Sequence, residues 1–289
     1  MRATRIYMRF PNETAKAVTL SYDDGSEQDI RLVSLLGQYH MKATFNISAG
    51  LYSPEGKQFK EGSVCRRMTR KAAIRLYQNS GHEVAAHGYS HPMLEQMPPS
   101  RVALELLEDR RALERDFGVP VRGMAYPFGS YSPAVIETLK SVGIVYSRTT
   151  SATRKFDLPT DWYKLSPTCK HTDGRLMELA EAFVGAKADR APMLFYLWGH
   201  SFEFEADRNW DVIENFCAYM GDRADIWYAT NLQIYDYVQA YQRLIWTADA
   251  RAVYNPSVQP VSFLYHTIEE NGEAKKTYTV GAGETLMLQ

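Results

Sequence analysis

Acidic and imidazole side chains follow two short apolar segments of this chain. Asp23 and Asp24 come directly after the run 17–22, and His87 and His91 are spaced i, i+4 after the run 82–86. One helical turn brings side chains with this spacing to the same side. Two imidazoles and one carboxylate form the three-ligand set of a catalytic divalent metal, with Zn²⁺ the default and Co²⁺, Ni²⁺ and Mn²⁺ as alternatives. The pattern predicts that Asp24, His87 and His91 bind one metal while Asp23 faces a substrate.

Two later segments fit the same site. In the Tyr126-Pro127-Phe128-Gly129 segment, glycine permits a close backbone approach, so the Phe128 N–H could point at a developing oxyanion. The apolar run 195–198 ends in Gly199 and His200, which places a histidine as a general acid. Taken singly, each motif is also typical of an ordinary feature: Asp-Asp-Gly of a solvated turn, and His200 of a packed or surface histidine. Their coincidence at strand ends favours a catalytic site.

The elements that position these residues alternate between short apolar runs and helical periods, the pattern of βα units around a parallel sheet. Strands are predicted over 17–22, 43–47, 82–86, 123–126, 144–147 and 194–198. Helices are predicted over 30–39, 69–78, 101–117 and 132–141, with Thr69 and Ser100 as N-caps. The charges of helix 101–117 are expected to be mostly solvated. Glu203 and Glu205 are expected to be solvated or rim acids, although either could meet a substrate amine or hydroxyl. The fold class is α/β, with about seven βα units.

The last part of the chain has a different character. Segments 253–265 and 276–288 are rich in Val, Tyr, Thr and Phe, and a Glu-Asn-Gly turn signal lies at 270–272 between them. We predict a barrel domain over 1–246 and a small C-terminal β-hairpin appendage, packed on the barrel, over 247–289.

Composition limits the partners and the compartment. Lys and Arg total 33 against 34 Asp and Glu, so the net charge of −1 provides no basic field for nucleic acid or an anionic membrane. The apolar runs are too short to span a bilayer, and no signal sequence is apparent. Three separated cysteines fit reduced thiols and a cytoplasmic location. The oligomeric state is left open.

Four segments, taken in order, resemble the motifs of the polysaccharide deacetylases, which form carbohydrate esterase family 4. They are 19–25 (TLSYDDG), 87–91 (HGYSH), 125–129 (AYPFG) and 197–200 (LWGH). Within that family the chain resembles the nodulation-type chitooligosaccharide deacetylases. The resemblance implies a distorted (β/α) barrel, a Zn²⁺- or Co²⁺-type metal and hydrolysis of the N-acetyl group of an amino sugar. It further implies that Asp23 is the general base and His200 the general acid. The metal ligands that it implies are Asp24, His87 and His91.

The chain departs from the family pattern at several positions. Ala125 stands where the family has an arginine that holds the base, and Trp198 stands where a leucine lines the acetyl pocket. Gly88 replaces the usual Ser or Thr. The aspartate motif that tunes the acid histidine appears only as DLPTDW, with a spacing one residue too long. Residues expected to line the pocket or support the site are therefore Tyr126, Pro127, Arg148, Asp157, Asp161, Trp162 and Trp198.

The missing arginine leads to a specific prediction. A catalytic carboxylate beside a metal needs a fixed partner for its second oxygen. Arg148 ends the strand next to the proline motif in a sequential barrel, so its guanidinium could reach Asp23 in place of the family arginine. Lys164 is the next candidate.

Two other functions compete with the deacetylase hypothesis. One is an amidase with the same barrel that acts on a non-sugar, cyclic amide, as metal-independent members of the wider superfamily do. Retention of the three metal ligands argues against losing the metal. The other is a non-catalytic carbohydrate-binding or scaffold protein, which would need neither Asp23 nor His200.

Overall fold

The computed structural model describes residues 3–269 and 272–288, and its centre is a curled parallel β-sheet. The strands in chain order are β1 (Ala3–Arg9), β2 (Lys16–Asp23), β3 (Ala43–Ile47), β4 (Glu83–Ala86), β5 (Gly123–Ala125), β6 (Tyr146–Arg148), β7 (Cys169–Lys170), β8 (Met193–Gly199), β9 (Ile226–Tyr228), β10 (Ile245–Trp246), β11 (Ala252–Tyr254), β12 (Val261–Glu269), β13 (Gly272–Val280) and β14 (Thr285–Met287). The helices are α1 (Asp29–Gln38), α2 (Arg70–Tyr77), α3 (Pro99–Phe117), α4 (Pro133–Ser141), α5 (Leu176–Gly185), α6 (Ser201–Ala206), α7 (Trp210–Met220) and α8 (Asn231–Gln242). Five short 3₁₀ turns are Pro11–Glu13, Ala49–Leu51, Leu94–Gln96, Pro127–Gly129 and Trp162–Lys164.

The parallel sheet has the order β6-β5-β4-β3-β2-β8-β7, and β9 also pairs with β2. Its two ends meet at one segment. The Thr149 N–H donates to the Leu165 carbonyl at 2.9 Å and the Leu165 N–H to Ser147 at 3.0 Å, while β7, four residues later, pairs with β8. We call residues 165–170 the seam. The predicted α/β class and distorted (β/α) barrel are confirmed.

Local sequence explains where the helices begin. The side chains of Thr69 and Ser132 accept hydrogen bonds from Ala72 and Val135, so both cap their helices, as the sequence predicts for Thr69. Ser100 is not a cap: α3 begins at Pro99, because a proline at the first helical position loses no intrahelical hydrogen bond.

The C-terminal hairpin is present, but its strands differ from the prediction. β12 pairs antiparallel with β13, and residues 270–271 of the expected turn lie outside the described residues. Each predicted segment is broken in two, because β11 and β14 leave the hairpin and form a second sheet with β10. β1, which the sequence did not predict, pairs along its length with β12. The domain boundary near residue 246 stays a prediction.

Within the described ranges, no helix combines the length and the apolar character needed to cross a membrane. The three cysteines are free thiols; Cys65 is exposed, and Cys169 and Cys217 are buried.

Candidate active site

Asp23 is the last residue of β2, and its carboxylate is held by two neighbours. Arg148 Nη2 donates to both carboxylate oxygens, at 2.5 Å from Oδ1, and Asn46 Nδ2 donates to Oδ1 at 2.8 Å. Burial alone would raise the pKa of Asp23, but the Arg148 guanidinium, followed by His87 and His200, lowers it to about 2. Asp23 is therefore ionised at neutral pH, and its orientation is fixed.

The contact predicted between Arg148 and Asp23 is thus present. Arg148 pairs in register with Ala125 on the neighbouring strand β5, so an arginine lies one strand away from the position where the family has it. Lys164, the other candidate, lies 3.5 Å from Asp161. The Trp198 ring covers the Arg148 guanidinium at 4.6 Å from the ring centroid. The Asp23 carboxylate and the Arg148 guanidinium are enclosed together.

Asp24, His87 and His91 form a compact group at the same edge. Their candidate ligand atoms lie within 4.8 Å of one another, and the two imidazole rings meet edge to face at 4.7 Å. His87 Nδ1 lies 2.8 Å from the Ala125 carbonyl, which can only accept, so Nδ1 carries the hydrogen and Nε2 keeps its lone pair. Burial lowers the pKa of both histidines, to about 4 for His91. Both rings are neutral at pH 7, as metal ligands require.

A buried carboxylate holds the histidine loop in place. Asp109 of α3 accepts hydrogen bonds from the His87 N–H at 2.9 Å and the Ala49 N–H at 2.8 Å. The exposed fraction of Asp109 is 0%, so the expectation of solvated charges on this helix is wrong at this residue. The sequence does not reveal that Asp109 lies beside two N–H groups of loops.

The departure at Gly88 has a steric reason. Gly88 adopts φ +73°, and a Cβ there would lie 3.0 Å from Pro92 Cδ and 3.4 Å from Pro127 Cγ. Ser or Thr would be strained at this φ and crowded by both prolines. Pro127 therefore packs directly against the histidine loop, as expected for a residue that supports the site.

Three site residues other than glycine adopt left-handed backbone angles: Asp24 at φ 80°, His91 at φ 55° and Phe128 at φ 57°. Such conformations cost about 1–3 kcal/mol each and persist where the surroundings enforce them. The Phe128 ring packs edge-on against His91 at 4.5 Å and is 60% exposed. Phe128 thus lies at the mouth of the site. Tyr126 is buried, and its hydroxyl donates to the Tyr163 carbonyl at 2.9 Å.

Arg67 contacts the metal-ligand group and was not predicted. Its Nη2 donates to Asp24 Oδ1 at 2.5 Å, and its Nη1 to the Asp24 carbonyl at 3.2 Å. The preceding Arg66 pairs with Glu27 at 2.7 Å and with Glu205 at 2.9 Å, which anchors the segment. Arg67 lies 43 residues from Asp24 in the sequence and follows no regular element, so no spacing could identify it.

His200 follows β8, and its ring lies across from the Asp23 carboxylate. Its Nε2 is 3.8 Å from Asp23 Oδ2, and its Nδ1 is 3.3 Å from Glu203 Oε1. The side chain of Glu203 is only 20% exposed and accepts from Lys170 Nζ at 2.7 Å. The expectation of a solvated Glu203 is therefore wrong. The i, i+3 spacing to His200 at a helix start was the signal that could have revealed this contact.

The aspartates of the altered motif have other contacts. Asp161 caps the turn Trp162–Lys164 by accepting from the Tyr163 N–H at 3.0 Å, and the Trp162 ring packs against Tyr235 at 5.1 Å. Asp157 and Asp161 line a cavity of about 710 Å³ beside the seam. In the described part of the chain, the carboxylate found at His200 Nδ1 is Glu203, so the expectation that this motif tunes the histidine is corrected.

Comparison with known proteins agrees with the motifs. Residues 11–147, just under half of the chain, match the family model described as polysaccharide deacetylase, so this part of the chain is similar to that family. The chain is 27% identical over 124 residues to a chitooligosaccharide deacetylase of Rhizobium leguminosarum bv. phaseoli, covering 42% of this chain and 47% of that protein. It is 25% identical over 169 residues to the uncharacterized protein YlxY of Bacillus subtilis (strain 168), covering 58% of this chain and 46% of that protein. The chain thus spans about half the length of these two curated relatives.

A solved structure extends the likeness of the fold. The crystal structure of a putative polysaccharide deacetylase from Mycobacterium smegmatis superimposes with a TM-score of 0.57 at 18% sequence identity, covering 82% of this chain and 94% of that one. The two proteins share the barrel fold.

Proposed function

We propose that this chain is a metal-dependent deacetylase that hydrolyses the N-acetyl group of an amino sugar or a related small substrate, releasing acetate and a free amine. One observation carries the proposal: a three-ligand group within 4.8 Å lies at the same sheet edge as an ionised carboxylate and an imidazole that are 3.8 Å apart. The family match and the deacetylase named among the relatives support the same chemistry.

Asp24, His87 and His91 would hold the metal, and their chemistry fits one. The hydrogen bond from His87 Nδ1 to Ala125 leaves Nε2 free to bind, and both rings are neutral because burial lowers the pKa of each histidine. We expect Zn²⁺, because it suits ligand sets rich in nitrogen, with Co²⁺, Ni²⁺ or Mn²⁺ as alternatives. When bound, such a metal supplies a Lewis acid that activates water and polarises the acetyl carbonyl.

The residues of the chain carry out the proton transfers. Asp23, ionised and fixed by Arg148, accepts a proton from the attacking water. The Phe128 N–H donates to the oxygen that becomes negative as the carbonyl carbon turns tetrahedral. His200 donates its proton to the leaving nitrogen as the C–N bond breaks, so the product is a neutral amine rather than an amide anion.

Metal content and product release test the proposal together. We expect one equivalent of metal in the parent protein, acetate released from a panel of N-acetylated amino sugars and chitooligosaccharides, and loss of both after chelation. His87→Gln and His91→Gln should lose the metal. His40→Gln should keep it, because His40 is exposed and pairs with Asp222.

Each contrary result has a distinct meaning. Equal metal content in the His87, His91 and His40 variants would contradict the metal site. Ring opening of a cyclic amide without acetate release would favour the amidase alternative. A metal-loaded protein that hydrolyses none of these substrates would favour the non-catalytic alternative.

A further inference from the structure

We propose that Glu203 is a positioning residue that fixes the ring of His200 and stabilises its positively charged form, an inference that rests on the proton-donor role proposed above for His200. Glu203 lies on the first turn of α6, and the ring of His200 spans the gap between two carboxylates. Nδ1 faces Glu203 Oε1 at 3.3 Å, and Nε2 faces Asp23 Oδ2 at 3.8 Å. A hydrogen bond from Nδ1 to Glu203 therefore leaves the Nε2 proton directed at the reacting edge.

Glu203 is itself held by β7. Lys170 Nζ donates to Oε1 at 2.7 Å, and His171 Nε2 lies 3.1 Å from Oε2. The His171 ring is buried against Phe204 at 4.1 Å between ring centroids. The Lys170 ammonium holds Oε1, the oxygen that faces His200 Nδ1, and Oε2 is packed against the His171 ring, so the carboxylate can define the orientation of the His200 ring.

The close packing of His171 also explains Gly199. A Cβ at position 199 would lie 2.0 Å from His171 Nδ1, and no side chain fits at that distance. The glycine directly before His200 is thus required by the ring that contacts Glu203, which links the backbone at the histidine to the carboxylate cluster.

The charges around His200 favour the imidazolium. Burial alone would lower the pKa of His200, but its hydrogen bond to Glu203 and the negative charges of Asp23, at the end of β2, and of the following Asp24 raise it. The cations nearby are Lys170, beside Glu203, and Arg148, which pairs with Asp23. His171, directly after β7, also faces this cluster, and burial lowers its pKa, so it is neutral at pH 7.

This arrangement differs from the one that the family resemblance implies. The resemblance assigns the carboxylate at the acid histidine to a separate motif, represented here by Asp157 and Asp161. Asp161 caps the turn Trp162–Lys164, and both aspartates line the cavity beside the seam. In this chain the carboxylate comes from the helix that the histidine itself begins.

The first test measures the pKa of the His200 ring rather than the rate of the reaction. In the metal-free protein, NMR titration of His200, assigned from the spectrum of a His200→Ala variant, should give a pKa above 6.5 in the parent. In Glu203→Gln the pKa should fall by about one to three units, the size of effect that a lost neighbouring charge has. The control Glu178→Gln removes an exposed carboxylate that pairs with Arg175 and should leave the titration unchanged. An unchanged His200 titration in Glu203→Gln would overturn the proposal, whether or not the protein proves to be a deacetylase.

The second test separates positioning from a structural role. With full metal content, Glu203→Gln should lower kcat about 10²-fold or more on an unactivated N-acetyl substrate with little change in KM, and should move the basic limb of the pH profile to lower pH. The loss should be smaller on an acetanilide with a good leaving group, which needs less protonation. An equal loss on both substrates with an unmoved basic limb would contradict the proposal. Failure of the parent to release acetate would contradict the proposed function, while the NMR result would still decide the role of Glu203.

Discussion

The ion pair between Arg148 and Asp23 should be a large contributor to the stability of the metal-free protein. Arg148→Met keeps a long apolar side chain beneath Trp198 but removes the guanidinium. The exposed fractions of the two side chains are 0% and 3%, so solvent cannot replace the lost partner. Removing one member of a buried pair costs about 3–5 kcal/mol. We expect the free energy of unfolding at pH 7 to fall by that amount.

The pKa of Asp23 also makes the stability depend on pH. It is lowered to about 2 from an ordinary 3.8, because Arg148, His87 and His200 together outweigh the effect of burial. Because the pKa in the folded state is depressed, the contribution of Asp23 to the stability is present above pH 3.8 and is lost as the pH falls through about 2. Because Arg148 and Asp23 are in direct contact, we expect the variants Arg148→Met and Asp23→Asn to be non-additive by about 0.5–3 kcal/mol in a double-mutant cycle.

The assay is urea unfolding in the presence of a chelator, followed by circular dichroism. Arg122→Met is the matched control, because the side chains of Arg122 and Asp236 are 36% and 41% exposed and pair at 3.0 Å. That exposed pair should contribute less than about 1 kcal/mol. The reasoning is refuted if Arg148→Met costs no more than the control, or if its effect and that of Asp23→Asn simply add.

Three further variants test the site. Asp23→Asn should keep the metal and lose about 10²–10⁴-fold in turnover, checked by metal analysis and acetate release; loss of the metal would make Asp23 a ligand. Asp109→Ala leaves the Ala49 N–H without its acceptor and the His87 N–H with the Ile47 carbonyl alone, so metal affinity should fall about 10–100-fold in a competition titration, and an unchanged affinity would contradict a role in holding the loop. Trp198→Leu removes the ring over Arg148, and we expect kcat/KM to shift from acetyl toward longer acyl groups, which a comparison of N-acetyl and N-propionyl substrates would reveal.

The parts of the site that the sequence predicted share one property: each side chain follows directly from a strand. Asp23, Asp24 and His200 come at or after the ends of β2 and β8, and parallel strands bring their carboxyl ends to one edge. Arg148 was predictable for the same reason, since its strand pairs with the one that carries Ala125. Periodicity thus predicts the sheet edge at which these side chains meet.

The parts that were missed depend on contacts between distant segments. Arg67 reaches Asp24 from an irregular segment, and Asp109 lies on a helix whose other charges are mostly at the surface. β1 has no partner near it in the sequence, because it pairs with β12 at the opposite end of the chain. Such contacts follow from tertiary packing, which neither propensity nor spacing encodes.

We expect the amide hydrogens at the seam to exchange without global unfolding of the barrel. Two backbone hydrogen bonds, from Thr149 to Leu165 and from Leu165 to Ser147, join the end of β6 to the seam, and two more follow from Thr153 to Pro167 and from Arg154 to Thr168. The cavity of about 710 Å³ beside the seam reduces the packing that would resist separation at the end of β6. Arg148 lies between the first two of these bonds, whereas Asp24 and the histidine loop belong to other strands. We expect a local opening there to withdraw the partner of Asp23 and to leave Asp24 and the histidine loop in place. Rapid hydrogen exchange at Thr149 and Leu165 would mark such an opening.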